Sequence, residues 1–241
     1  MEKWLHEILG SYQAVDVFLS PSDFLIKKYH ELGFKRAIRR IHHPLLSEPT
    51  QQGGSHLPWS DRPPISLFFG RLSPEKGVDT ILRALPLVPE RKLEIVGFGP
   101  SQSELEKLVT DLHLENRVTF IGPEYGEALA KRMARAKEII VPAAWYENQP
   151  FVLMDSLRSG TPVLASAIGG IPDIIRDGEN GFLFAPGDPN DLAKKIRSLS
   201  EFDIEKITQE AYRTASDYTP ERYVQEILTA YKDAREQRKI S

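Results

Sequence analysis

The 241-residue chain contains no cysteine. Disulfides, thiolate metal sites and cysteine nucleophiles are therefore excluded, and the composition suits a reducing compartment. No apolar run approaches the ~18 residues of a membrane-spanning helix. An excess of either sign of charge is also lacking, the 31 basic and 34 acidic residues leaving a formal net charge of −3. Nothing in that balance draws the whole molecule to nucleic acid or to an anionic membrane, so any anion site must be local. Histidine shows no metal-ligand spacing: His42 and His43 are adjacent and lead into Pro44. No metal site is expected. The opening MEKWLHEILG places Glu2, His6 and Glu7 among its apolar residues, which fits neither a secretory signal nor a transit peptide. A cytoplasmic protein is expected.

The chain is 41% hydrophobic, enough to bury a core at this length. From residue 65 onward, short β-branched or aromatic runs alternate with longer helical ones. The expected strands are ISLFFG (65–70), KLEIVG (92–97), RVTFIG (117–122), EIIVPA (138–143), PVLASA (162–167) and GFLF (181–184). Helical periodicity covers residues 78–88, 103–112, 126–136 and 151–159, and three more helices are expected to start near Pro189, Asp203 and Thr219. This alternation predicts an α/β fold with a parallel sheet and helices on both faces. Residues 47–64, SEPTQQGGSHLPWSDRPP, lack periodicity and read as an exposed linker. Before them, VDVFLSPS (15–22) reads as a strand entering a capped helix that stops at Gly33. That segment is too small to close a core, so residues 1–46 are expected to be the remnant of another domain.

Two stretches carry candidate chemistry. In WYENQPFVLMDSLRSGTPVL (145–164), Pro150 opens a helix and Gly160 with Pro162 closes it. The helix start follows a strand, so its unpaired N–H groups would face a cleft suited to an anion. Glu147 sits just outside that start and Asp155 further along. On spacing alone the plainer reading is a solvated loop acid and a surface helix acid. In FFGRLSPEKGVDT (68–80), Arg71 and Lys76 gather after a strand, with Pro74 and Glu75 opening the next helix. A guanidinium fork and a compact ammonium suit a diphosphate, and Gly70 and Gly77 permit close backbone approach. Cations at a helix start are otherwise unfavourable. The pair Gly169 and Gly170 suits either close approach to a ligand or a tight turn. VGFGP (96–100) lacks the third glycine of a dinucleotide fingerprint, Gln102 holding its place, which leaves an NAD-binding reading last.

Taken together, GRLSPEKG, the E-x7-D pair, SGTPVLAS, GGIPDII and DGENGFLFAPGDPNDLAKKI resemble the carboxyl-terminal domain of the group 1 retaining glycosyltransferases, over roughly residues 65–200. The resemblance implies the GT-B fold, whose Rossmann-like carboxyl-terminal half binds a nucleotide-sugar donor, with transfer by retention and no metal or other cofactor. It implies catalytic roles for Arg71 and Lys76 on the donor diphosphate and for Glu147 on the donor sugar. Gly70, Asn148, Gln149, Pro150 and Phe151 would close around sugar and phosphate, Asp155 would accept ribose hydroxyls, and the base would lie near Gly122. Asp155 stands where the family usually has Glu, which implies a longer or water-mediated ribose contact.

The implied organisation is an acceptor-side remnant (1–46), a linker (47–64), a donor-binding domain (65–217) and a carboxyl-terminal crossover helix (218–241). Tyr223, Ile227, Leu228 and Tyr231 share one face of that helix. With most of the acceptor domain missing, self-association or a partner subunit is expected through this face and residues 1–44. The alternatives are a non-catalytic nucleotide-sugar binding module and an epimerase-like relative of the same fold. The acceptor is left open.

Overall fold

A computed structural model describes residues 11–45 and 57–240. A 3-10 turn (Ser11–Ala14) leads to β1 (Phe18–Ser20), α1 (Asp23–Glu31) and β2 (Ile38–Arg40). β1 and β2 pair in parallel as a two-stranded sheet. Ser22 caps α1 by accepting from the Leu25 N–H at 3.2 Å, and Gly33 ends it at φ 85°.

The remainder is one doubly wound unit. After a 3-10 turn at Trp59–Asp61 come β3 (Ile65–Phe69), a second turn at Pro74–Lys76, α2 (Val78–Ala84), β4 (Lys92–Val96), α3 (Gln102–Asp111) and β5 (Val118–Gly122). Then follow α4 (Gly126–Arg135), β6 (Glu138–Val141), α5 (Phe151–Arg158), β7 (Val163–Ser166), β8 (Phe182–Phe184), α6 (Pro189–Ser198), α7 (Ile204–Ser216) and α8 (Pro220–Ile240). The six strands lie in the order β5-β4-β3-β6-β7-β8 and every pairing is parallel. Such strands are apolar on both sides because both faces are covered. Phe68 of β3 packs with α2, α3 and α6, whereas Leu67 and Phe69 pack toward α4; Val163 and Ala165 of β7 join α5 and the second half of α7. The α/β, Rossmann-like expectation holds, with strand ends trimmed by one or two residues.

Three local expectations change. Pro74 and Glu75 do not open the helix after β3: Pro74–Lys76 is a separate 3-10 turn, closed by Gly77 at φ 66°, and α2 begins at Val78. Pro86 ends α2 early, so Leu85–Leu87 is also 3-10, since its ring removes a helical donor. Of the stretch read as exposed linker (47–64), residues 47–56 lie outside the described residues, while part of 57–64 is packed. Trp59 donates from Nε1 to the Lys137 carbonyl at 2.8 Å, and the Lys137 ammonium lies 4.0 Å from the Trp59 ring centroid. Arg62 is buried and donates to the Ala136 and Gly160 carbonyls and to the Thr161 hydroxyl.

The two units touch. Asp173 accepts from the Phe24 N–H at 2.9 Å, and the Leu45 N–H donates to the Tyr218 carbonyl at 2.8 Å. α8 returns to residues 11–45 through Arg39–Asp233 and Asp16–Arg238 ion pairs. Its apolar face is partly covered: Ala230 is buried and Tyr223 and Ile227 are half-buried, while Val224, Leu228 and Tyr231 are exposed.

Candidate functional site

In an open parallel sheet a crevice opens at the carboxyl edge where the strand order reverses. Here that point lies between β3 and β6, and the loops leaving these two strands carry Arg71 with Lys76 and Glu147 respectively. The loops are stitched together. The Ala144 N–H donates to the Glu75 carbonyl at 2.9 Å. A Cβ on Gly77 would lie 2.0 Å from the Pro142 carbonyl oxygen, so only glycine lets the two backbones pass this closely. The stitch brings the Lys76 ammonium into an ion pair with the Glu147 carboxylate, both side chains being partly shielded from solvent. Arg71 is exposed and has no hydrogen-bond or ion-pair partner among the described residues. The Ser73 hydroxyl donates to Glu75 at 2.6 Å and holds its carboxyl below the usual range, with Arg71 and Lys76 adding to the effect. Both cations thus act on the Glu75 carboxylate.

The start of α5 closes the other side. Pro150 occupies its N-cap, no side chain caps it, and no acid lies in its first turn. The terminal N–H groups and the positive end of the helix are therefore available to an anion. Glu147 and Asn148 precede this start against the paired glycines, where a Cβ would fall 2.3 Å from the Glu147 carbonyl oxygen at Gly169 and 2.0 Å from that of Asn148 at Gly170. The Gly170 N–H donates to the Glu147 carbonyl at 2.6 Å. Close approach is what this pair provides, to protein backbone. The glycines of residues 96–100 act similarly: a Cβ on Gly99 would lie 2.2 Å from the Leu72 carbonyl oxygen.

The other residues singled out by sequence fall around this edge. Gly70 follows β3 at φ 146°, and Gly122 ends β5 at φ 82° with open space where a Cβ would be. Asn148 and Phe151 are exposed, and Asp155 is half-buried on α5, one turn beyond Phe151. Gln149 is buried, and its side chain makes a contact the sequence did not suggest. Its Oε1 accepts from the His43 N–H at 2.7 Å and its Nε2 donates to the His43 carbonyl at 2.9 Å. This clamp sets the His43 ring 5.7 Å from that of Phe151. An amide that satisfies both backbone groups of a residue 106 positions away leaves no local sequence signal.

The family model for group 1 glycosyl transferases matches residues 55–222. A glycosyltransferase of Methanocaldococcus jannaschii is 33% identical over 176 residues, covering 70% of this chain and 45% of its own length. The D-inositol 3-phosphate glycosyltransferase of Mycolicibacterium vanbaalenii is 30% identical, covering 69% and 40%. This chain therefore spans under half the length of these relatives. Among solved structures, sucrose-phosphate synthase from Thermosynechococcus elongatus superposes with a TM-score of 0.76 at 27% identity, over 92% of this chain and 58% of its own. Anabaena HepE in complex with UDP and glucose gives 0.77 at 24% identity, over 90% and 63%.

Proposed function

The chain belongs to the group 1 glycosyl transferases, and from that premise we propose that it holds a nucleotide-diphosphate sugar and acts in its transfer to an acceptor with retention. The observation that carries this reading is the meeting of Lys76 and Glu147 across the switch point, in front of the α5 start. In the proposed complex Arg71 and Lys76 take the diphosphate oxygens, and the N–H groups at the start of α5 lie against the same charge. As the bond from the anomeric carbon breaks, its electron pair leaves with the diphosphate, and these fixed donors stabilise the developing charge. Glu147 accepts from donor-sugar hydroxyls, the backbone of Asn148, Gln149, Pro150 and Phe151 encloses sugar and phosphate, and Asp155 accepts from the ribose. Gly70 and Gly122 leave room for phosphate and base. No metal is assigned a role. The acceptor-binding half is proposed to come from further polypeptide or a partner subunit, seated on residues 11–45 and the exposed side of α8.

Thermal melting with a panel of nucleoside diphosphates tests the reading, because a ligand that binds only the folded state raises the midpoint. Arg71→Ala and Lys76→Ala are each expected to weaken every diphosphate about ten- to a hundredfold, the worth of a charged hydrogen bond. Asp155→Ala should weaken ribonucleotides and spare their 2′,3′-dideoxy analogues. A midpoint indifferent to all diphosphates would exclude the assignment. The short span relative to the relatives favours one second reading, a donor-binding module without turnover. It is distinguished by a diphosphate-dependent midpoint without sugar release from any nucleotide sugar.

A further inference from the structure

The loop between β6 and α5 holds two large aromatic side chains in solvent. Trp145 is 66% exposed and Tyr146 53%. Neither is exposed because the loop is loosely held. Ala144, just before them, is bonded to the Glu75 carbonyl; Glu147, just after, accepts from the Gly170 N–H; Gln149 is clamped to His43. The rings form a continuous group: Trp145 and Tyr146 have centroids 5.6 Å apart, and Phe24 of α1 lies 5.0 Å from Tyr146. Keeping such apolar area in water on a pinned loop forgoes its burial, and exposed apolar patches of this kind mark binding surfaces.

The position identifies the ligand chemistry. The patch adjoins Glu147, a carboxylate that accepts from hydroxyls, and its far end is Phe24, from the segment on the acceptor side. A pyranose ring presents an apolar face of C–H groups and an equatorial rim of hydroxyls, which matches an aromatic face beside a carboxylate. We propose that Trp145 and Tyr146, with Phe24 beside them, form a stacking shelf for a sugar ring of the acceptor. This rests on the donor-site reading above, and places the acceptor among glycosides or other sugar-bearing molecules.

The test uses saturation-transfer NMR on the full chain with methyl glycosides of glucose, galactose, mannose and N-acetylglucosamine, alongside diphosphate-dependent melting of the same samples. At least one glycoside is expected to receive saturation through its C–H face. Trp145→Ala and Tyr146→Ala should each weaken it about three- to tenfold, as loss of an aromatic contact does, and Trp145→Phe should restore most of the binding. The diphosphate response should be unchanged in all three variants. No saturation transfer to any glycoside, or transfer unaltered by Trp145→Ala, overturns the shelf. So does a Trp145-dependent co-sedimentation with phosphatidylglycerol vesicles in place of glycoside binding, which would make the aromatics a lipid contact. Loss of the diphosphate response in the unsubstituted chain strikes the donor reading and is scored apart from the glycoside result.

Discussion

Lys76 meets Glu147 in the structure, yet the proposed reaction requires it to meet a diphosphate. The carboxylate therefore competes with the ligand for the ammonium and repels it besides. Glu147→Gln removes the competitor while keeping a hydrogen-bonding group of the same shape. A nucleoside diphosphate lacking the sugar is then expected to bind a few-fold more tightly, corresponding to about 1 kcal/mol for a partly exposed ion pair. Sugar transfer should be lost at the same time. Calorimetric titration of both proteins checks the first point, and equal or weaker binding by the variant would show that the pair does not restrain Lys76. A second residue-scale effect concerns His42, whose Nδ1 donates to the Pro21 carbonyl at 3.0 Å and whose ring lies 4.9 Å from that of Tyr218. Burial, with help from Arg40, pushes its pKa below the ordinary value. The unfolded chain then binds the proton first, so stability falls as pH drops through about 6.5 toward the lower folded value. Melting midpoints of the parent chain and His42→Gln, compared from pH 7.5 to 5, should converge as the parent loses this contribution.

At the scale of elements, the site depends on how closely two loops pass. Gly77 closes the Pro74–Lys76 turn with positive φ and lies against the Pro142 carbonyl. Gly77→Ala adds a left-handed alanine and a backbone clash, together expected to cost about 2–4 kcal/mol. For a chain of this size that is a fall in midpoint of roughly 4–16 °C, readable by circular dichroism. Gly170→Ala pushes on Asn148 and should displace the approach to α5, lowering diphosphate affinity. Periodicity read the elements themselves well, since buried parallel strands are nearly continuous apolar runs. It misplaced the start of α2, because a proline after Ser73 opens a 3-10 turn as readily as an α-helix. The left-handed Gly77 that separates the two is imposed by the neighbouring loop.

For the whole molecule, the folded unit begins before β3. Arg62 reaches under the sheet to three acceptors, from Ala136, Gly160 and Thr161. Arg62→Ala takes the guanidinium from the Ala136 and Gly160 carbonyls, while Thr161 keeps its bond to the Met133 carbonyl, and is expected to cost about 2–4 kcal/mol in urea unfolding. A loss below about 1 kcal/mol would return residues 57–64 to the status of a linker. The sequence alone determined the order of strands and helices, the parallel sheet and the residues of interest after β3 and β6, because hydrophobic period and turn chemistry are local. The tertiary structure decided which of them meet. Lys76 and Glu147 are 71 positions apart, and Gln149 and His43 are 106 apart. Pairing at that separation follows from sheet order and from glycines that let one backbone lie on another, and neither is written in the residues near each partner.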